Sequence, residues 1–149
     1  MPLFDRLVDR DPSLRAEVRP MRTLDRRGLR ESVRRELEQL LNTRCPVPAH
    51  HLAGRPRTVI DYGIPDFSTF SARSFADRQR LADILRQAVE TYEPRLGRVR
   101  VTIEPVEGDD LVLAGRIDAV LLIENAPEPV SFVTVLQPRD GRVIVDADA

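Results

Sequence analysis

The spacing of apolar residues changes once along this chain, and the change falls beside a proline. Upstream of Pro94 the apolar positions recur about every 3.6 residues, as on a helix; beyond Gly97 they alternate, as on a strand. The first helical stretch carries Leu29, Val33, Leu37, Leu40 and Leu41 on one face. Arg30, Glu31, Arg34, Arg35, Glu38 and Gln39 form its wet side, where Glu31 is set to pair with Arg35 and Arg30 to repel Arg34. Asp25 suits the N-cap, and the helix fades by Asn42-Thr43, ahead of Pro46. A second helix opens at Ser74, with Asp77 three residues on, and buries Leu81, Ile84, Leu85, Ala88, Val89 and Tyr92. Pro94 cannot continue it and disfavours helical geometry at Glu93.

After the junction, Val99, Val101 and Ile103 alternate with Arg98, Arg100, Thr102 and Glu104. Glu107-Gly108-Asp109-Asp110 reads as a hairpin turn, and a second strand runs from Leu111 to about Glu124, with a kink at Gly115. That strand is apolar on both faces around Ala119-Val120-Leu121-Leu122, which makes it central. Val130 to Leu136 forms a third strand, and Arg142 to Val145 a short last one after the Arg139-Asp140-Gly141 turn. Between the helices, residues 44–58 read as a loop, Thr58 to Tyr62 as a short strand, and Tyr62-Gly63-Ile64-Pro65-Asp66-Phe67 as a compact bend. Leu3-Phe4-Asp5-Arg6-Leu7 is a short apolar hook at the front. Helices followed by an antiparallel meander predict an α+β fold: two main helices packed on a three- or four-stranded sheet, in one domain over residues 1–149.

Composition narrows the function. All 23 basic residues are arginine, and tryptophan is absent. Residues 1–100 carry 20 Arg against 14 Asp plus Glu, while residues 101–149 carry 3 against 10. The two halves suit pairing within the fold or docking on a charged partner, and the balanced total of −1 argues against a nucleic-acid binder. The single Cys45 excludes an internal disulfide and fits a reducing compartment. The charged start lacks the apolar core of a signal peptide, and the longest apolar run, Ala119 to Ile123, is too short to insert in a bilayer. A cytoplasmic protein is expected.

Catalytic patterns fail in turn. His50 and His51 are adjacent, so their side chains diverge, and no third ligand completes a metal site. No Gly-x-Ser-x-Gly elbow surrounds Ser68, Ser71 or Ser74, and the glycines are too scattered to cradle a phosphate. Glycoside cleavage needs one carboxyl kept protonated in an apolar pocket, yet Glu93 lies two residues from Arg95, a cation that favours its ionised form. No catalytic residue, cofactor or metal is expected. Glu93-Pro94-Arg95 itself reads in two ways: a rigid ionic group that grips another protein, or a helix stop whose charges pair at the surface.

Three segments together resemble the TssE family, baseplate wedge components of bacterial type VI secretion systems. They are Ser32-Val33-Arg34-Arg35-Glu36-Leu37-Glu38-Gln39-Leu40-Leu41-Asn42-Thr43-Arg44, then Tyr62-Gly63-Ile64-Pro65-Asp66-Phe67, then Tyr92-Glu93-Pro94-Arg95-Leu96. The family is similar to a contractile phage-tail wedge protein historically labelled lysozyme-like. The resemblance implies a non-enzymatic part of the baseplate that joins other wedge subunits (of the TssF, TssG and TssK types) and sits under the first ring of sheath subunits. It implies partner contacts through Glu93, Pro94, Arg95, Tyr62, Pro65, Asp66 and Phe67, and a sheet edge open to an incoming sheath strand. It also implies a cytoplasmic complex docked near the inner membrane, without nucleic acid and without membrane insertion.

Overall fold

The computed structural model describes residues 25–52, 54–106, 109–123, 126–137 and 142–147. The elements are α1 (Arg26–Asn42), α2 (Ala49–Leu52), a 3-10 turn (Val59–Asp61), α3 (Phe75–Tyr92), β1 (Leu96–Val106), β2 (Asp109–Leu121), β3 (Glu128–Gln137) and β4 (Arg142–Ala147). The strands form one four-stranded antiparallel meander in the order β1-β2-β3-β4. This is the α+β arrangement that the change of period predicts. The hook at Leu3–Leu7, the centre of the first hairpin turn and the Arg139–Gly141 turn lie outside the described residues.

Both long helices start where local chemistry demands. The Asp25 carboxylate accepts the Gly28 N–H at 2.7 Å, and the Ser74 hydroxyl accepts the Asp77 N–H at 3.2 Å, so each satisfies an otherwise unpartnered donor. Their apolar faces meet one side of the sheet, α1 along β4 and α3 along β1. Leu37, Leu41, Leu81 and Leu85 pack there with Ile117, Phe132, Leu136 and Val145 in one contiguous core. Each such side chain contributes about 1.5–3 kcal/mol by leaving water, and the alternation in β2, β3 and β4 keeps those side chains on the helix side.

Several local expectations change. Val59 and Ile60 do not lie in a strand: they form the 3-10 turn, 88% and 77% exposed. Asp61 closes that turn by accepting the Thr58 N–H at 2.9 Å, and strand pairing is lost to this local bond. The loop at residues 44–58 contains the short helix α2. Glu31 pairs with Arg34 instead of Arg35, and Arg34 reaches on to Glu38 and to the Val145 carbonyl, each at 3.0 Å. Arg30 turns to Glu128 on β3. β2 begins at Asp109, inside the expected turn, and ends at Leu121, short of Glu124.

Gly115 carries no kink, since the pairing with Ile103 and Thr134 runs through it without a register shift. Its hydrogen is required for another reason: a Cβ there would collide with the Thr134 hydroxyl. The irregularities lie in β1 instead, between Gly97 and Arg100 and between Pro105 and Val106. Arg98 adopts φ 54° at the first, a left-handed conformation rare outside glycine.

The β4 margin is sealed by α1. Asn42 donates to the Val143 carbonyl at 2.7 Å and accepts the Val143 N–H at 2.9 Å, so one side-chain amide occupies both groups as a neighbouring strand would. Removing it in Asn42→Ala leaves a backbone donor and an acceptor unpaired, and a loss of about 1–3 kcal/mol is expected in urea denaturation. An unchanged midpoint would mean that water replaces the amide at no cost.

Candidate functional site

The last turn of α3, the first residues of β1 and the middle of α1 meet at Glu93-Pro94-Arg95. The helix closes with the Glu93 N–H donating to the Val89 carbonyl at 2.9 Å. Pro94 turns the chain, and the Leu96 N–H returns to the Glu93 carbonyl at 3.0 Å. From the adjacent strand, the Leu122 N–H donates to the Arg95 carbonyl at 2.8 Å, fixing the corner to the end of β2.

The charges at this corner face inward. Glu93 retains only 2% exposure. Arg95 donates from Nε to its Oε1 at 2.7 Å, from its own backbone N–H to the same oxygen at 3.2 Å, and from Nη2 to Oε2. The two side chains therefore form a fork with both carboxylate oxygens taken. Arg95 also donates from Nη1 to the buried Ser32 hydroxyl at 3.1 Å and lies 3.7 Å from a Glu36 carboxylate oxygen. Ser32 and Glu36 thus join the group from α1, on a helix whose apolar pattern does not announce them. Pro94 is exposed, and the Arg95 side chain retains 21% exposure.

The Tyr62–Phe67 bend adjoins this corner. The Tyr62 and Tyr92 rings meet edge to face with centroids 5.2 Å apart. Burial raises the Tyr62 pKa above its usual value, and the Glu36 and Glu93 charges raise it further. Gly63 takes a φ of 106°, which glycine adopts readily, and a Cβ there would strike the Thr43 carbonyl. The bend is tied to the end of α1 by the Ile64 N–H on the Thr43 carbonyl and the Cys45 N–H on the Ile64 carbonyl, both 2.9 Å. Phe67 is fully buried beneath the Arg44 guanidinium, 4.6 Å from its ring centroid, and Pro65 is buried beside it. Asp66 stays exposed, its carboxyl held below the usual range chiefly by the Ser68 N–H.

Of the bend's sequence-predicted residues, Tyr62 meets the Glu93-Pro94-Arg95 corner through Tyr92, while Pro65, Asp66 and Phe67 lie by the end of α1. Glu93, Pro65 and Phe67 are buried; Pro94 and Asp66 reach solvent. Among the described residues, no group of three or more His, Cys, Asp or Glu is placed to hold a metal ion. None of the described helices is long and apolar enough to cross a membrane.

Residues 27–126 match the family of the baseplate wedge protein gp25, a span holding every segment of this corner. The chain belongs to that family. A solved structure described as "The baseplate complex from the type VI secretion system" contains a chain of the same fold. The two superimpose with a TM-score of 0.53 at 22% identity, over 74% of this chain and 96% of that one. No curated protein matches. At this corner of the gp25-type wedge protein, Glu93 gives both carboxylate oxygens to Arg95.

A second buried acid flanks the bend. Asp61 is held below its ordinary pKa of 3.8, first by the Thr58 N–H and then by Arg55, whose Nη2 lies 2.5 Å from Oδ1. A depressed folded value gives stabilisation that is present above the unfolded pKa and is lost as pH falls through the folded one. The wild-type thermal midpoint should therefore drop between about pH 5 and about pH 2, and Asp61→Asn should remove part of that acid-range slope. Identical slopes would show that the 3-10 turn does not draw on the ionised form.

Proposed function

We propose that this chain is a non-enzymatic structural part of a type VI secretion baseplate, where it joins wedge subunits and starts assembly of the contractile sheath. The observation that carries this reading is the family match, whose span holds the three motif segments. The fold shared with a chain of a type VI baseplate complex supports the choice of machine. Wedge subunits of the TssF, TssG and TssK types are the partners for that corner, met through Pro94, the open part of Arg95 and the Asp66 bend. Buried Glu93, Pro65 and Phe67 and half-buried Tyr62 hold those groups in place.

The sheath subunits are the second partner, engaged by strand addition at a margin of the sheet. Such a part acts in the cytoplasm, in a complex docked near the inner membrane. The gp25 family match equally suits the wedge of a prophage tail or an extracellular injection particle, and the neighbouring genes separate these from a secretion system. Peptidoglycan cleavage is disfavoured, because Glu93 is buried and occupied by Arg95.

Deleting the gene should abolish sheath assembly, read as loss of fluorescent sheath filaments, and the tagged chain should capture wedge subunits from intact cells. Normal filaments in the deletion strain would contradict the proposal. A fall in the turbidity of purified cell wall that depends on Glu93 would restore the enzymatic reading.

A further inference from the structure

Just after the ionic corner, β1 carries one residue more than the strand it pairs with. Gly97 pairs with Val120 and Arg100 with Asp118, so Arg98 and Val99 together stand against Ala119. The extra residue resets the alternation. Leu96 and Val99 lie three positions apart, yet both are buried in the core. Side chains alternate along a regular strand, so without the insertion one of them would turn to the outer face. Arg98 is turned out and exposed, where strict alternation from Leu96 would point it at the helices.

The bulge accounts for a left-handed residue, but not for an arginine in that place. A φ of 54° is adopted readily by glycine and at a cost by a residue with a side chain. Glycine is at hand one position earlier, yet Gly97 does not take the left-handed conformation. Among the described residues, Arg98 is the one non-glycine at positive φ, and its side chain makes no hydrogen bond or ion pair that would offset the cost.

The surroundings of Arg98 are cationic and partly apolar. From Gly97 to Ile103 the strand carries Arg98 and Arg100, both exposed, and no acid. Glu93 is engaged by Arg95, and Asp118 on the facing strand by Arg116 and Ser131. Leu122 is 53% exposed and lies 3.4 Å from where a Cβ on Gly97 would sit; its N–H is the one bonded to the Arg95 carbonyl.

We propose that Arg98 is a contact residue for an acidic side chain of a wedge subunit, and that an apolar group of the same partner covers Leu122. This rests on the assembly reading above and adds a residue outside the three motif segments. A guanidinium with no acid of its own attracts a carboxylate and repels a basic partner, so charge complementarity selects the group that meets it. The bulge decides where they meet, because it aims Arg98 away from the regular direction of the strand.

Binding of the full chain to purified wedge subunits of the TssF and TssG types, read beside urea denaturation, tests the proposal. Glycine at a regular strand position weakens a fold, but Arg98→Gly should raise the urea midpoint by relieving the left-handed side chain. The same variant should bind the subunits more weakly by over about threefold and with less dependence on salt, while Arg98→Lys should recover most of that loss. A midpoint that does not rise, or binding weakened by less than this, would overturn the proposal. Loss of self-association in the free chain, with subunit binding unchanged, would give Arg98 to a second copy and also overturn it. Failure of the wild-type chain to bind these subunits would overturn the assembly reading together with this one.

Discussion

A carboxylate removed from water must be neutralised where it stands, and Glu93 is neutralised by the arginine two residues along. The idealised cost of moving such an ion into a dry interior is about 20 kcal/mol, and several kcal/mol remain after the protein relaxes. That cost ties the local geometry down. The Arg95 fork can reach both oxygens only if Pro94 turns the chain sharply, and Arg95 reaches Ser32 only if α1 lies across the junction. The exit of α3, the entry of β1 and the position of α1 are thus coupled through one guanidinium.

That coupling suits an assembly part. A docking surface whose groups are fixed before a partner arrives loses less conformational freedom on binding. Here the exposed proline sits on a turn clamped at both ends, and the neighbouring bend is held by a buried phenylalanine under Arg44. The same pairing engages both oxygens of the Glu93 carboxylate. The lysozyme-like label attached to the wider family finds no support in this carboxylate.

The frame of the fold was legible in the sequence because its signals are local. Asp25 and Ser74 cap their helices through side chains within three residues, and the alternation in β2 to β4 survives because one face meets helices and the other does not. What escaped depended on groups distant along the chain. Thr58 to Tyr62 has strand-like composition, but the Asp61 carboxylate folds it into a turn. Arg34 takes Glu31 from Arg35 because it also meets Glu38 and the Val145 carbonyl, the latter 111 residues away. Ser32 carries no sequence signal of its role, and Asn42 looks like a helix end until β4 lies against it. The corner itself was visible as a motif, whereas the inward direction of its charges was not. Spacing says that Glu93 and Arg95 can meet, but only tertiary packing excludes water from their meeting.

The most direct test is a double-mutant cycle on folding stability, using Glu93→Ala, Arg95→Ala and the double variant in urea. A buried, forked pair should make each single loss about 3–5 kcal/mol, with the double variant costing clearly less than their total, because removing both partners leaves no charge stranded. Additive losses below about 1 kcal/mol each would place the two side chains in water and contradict the account.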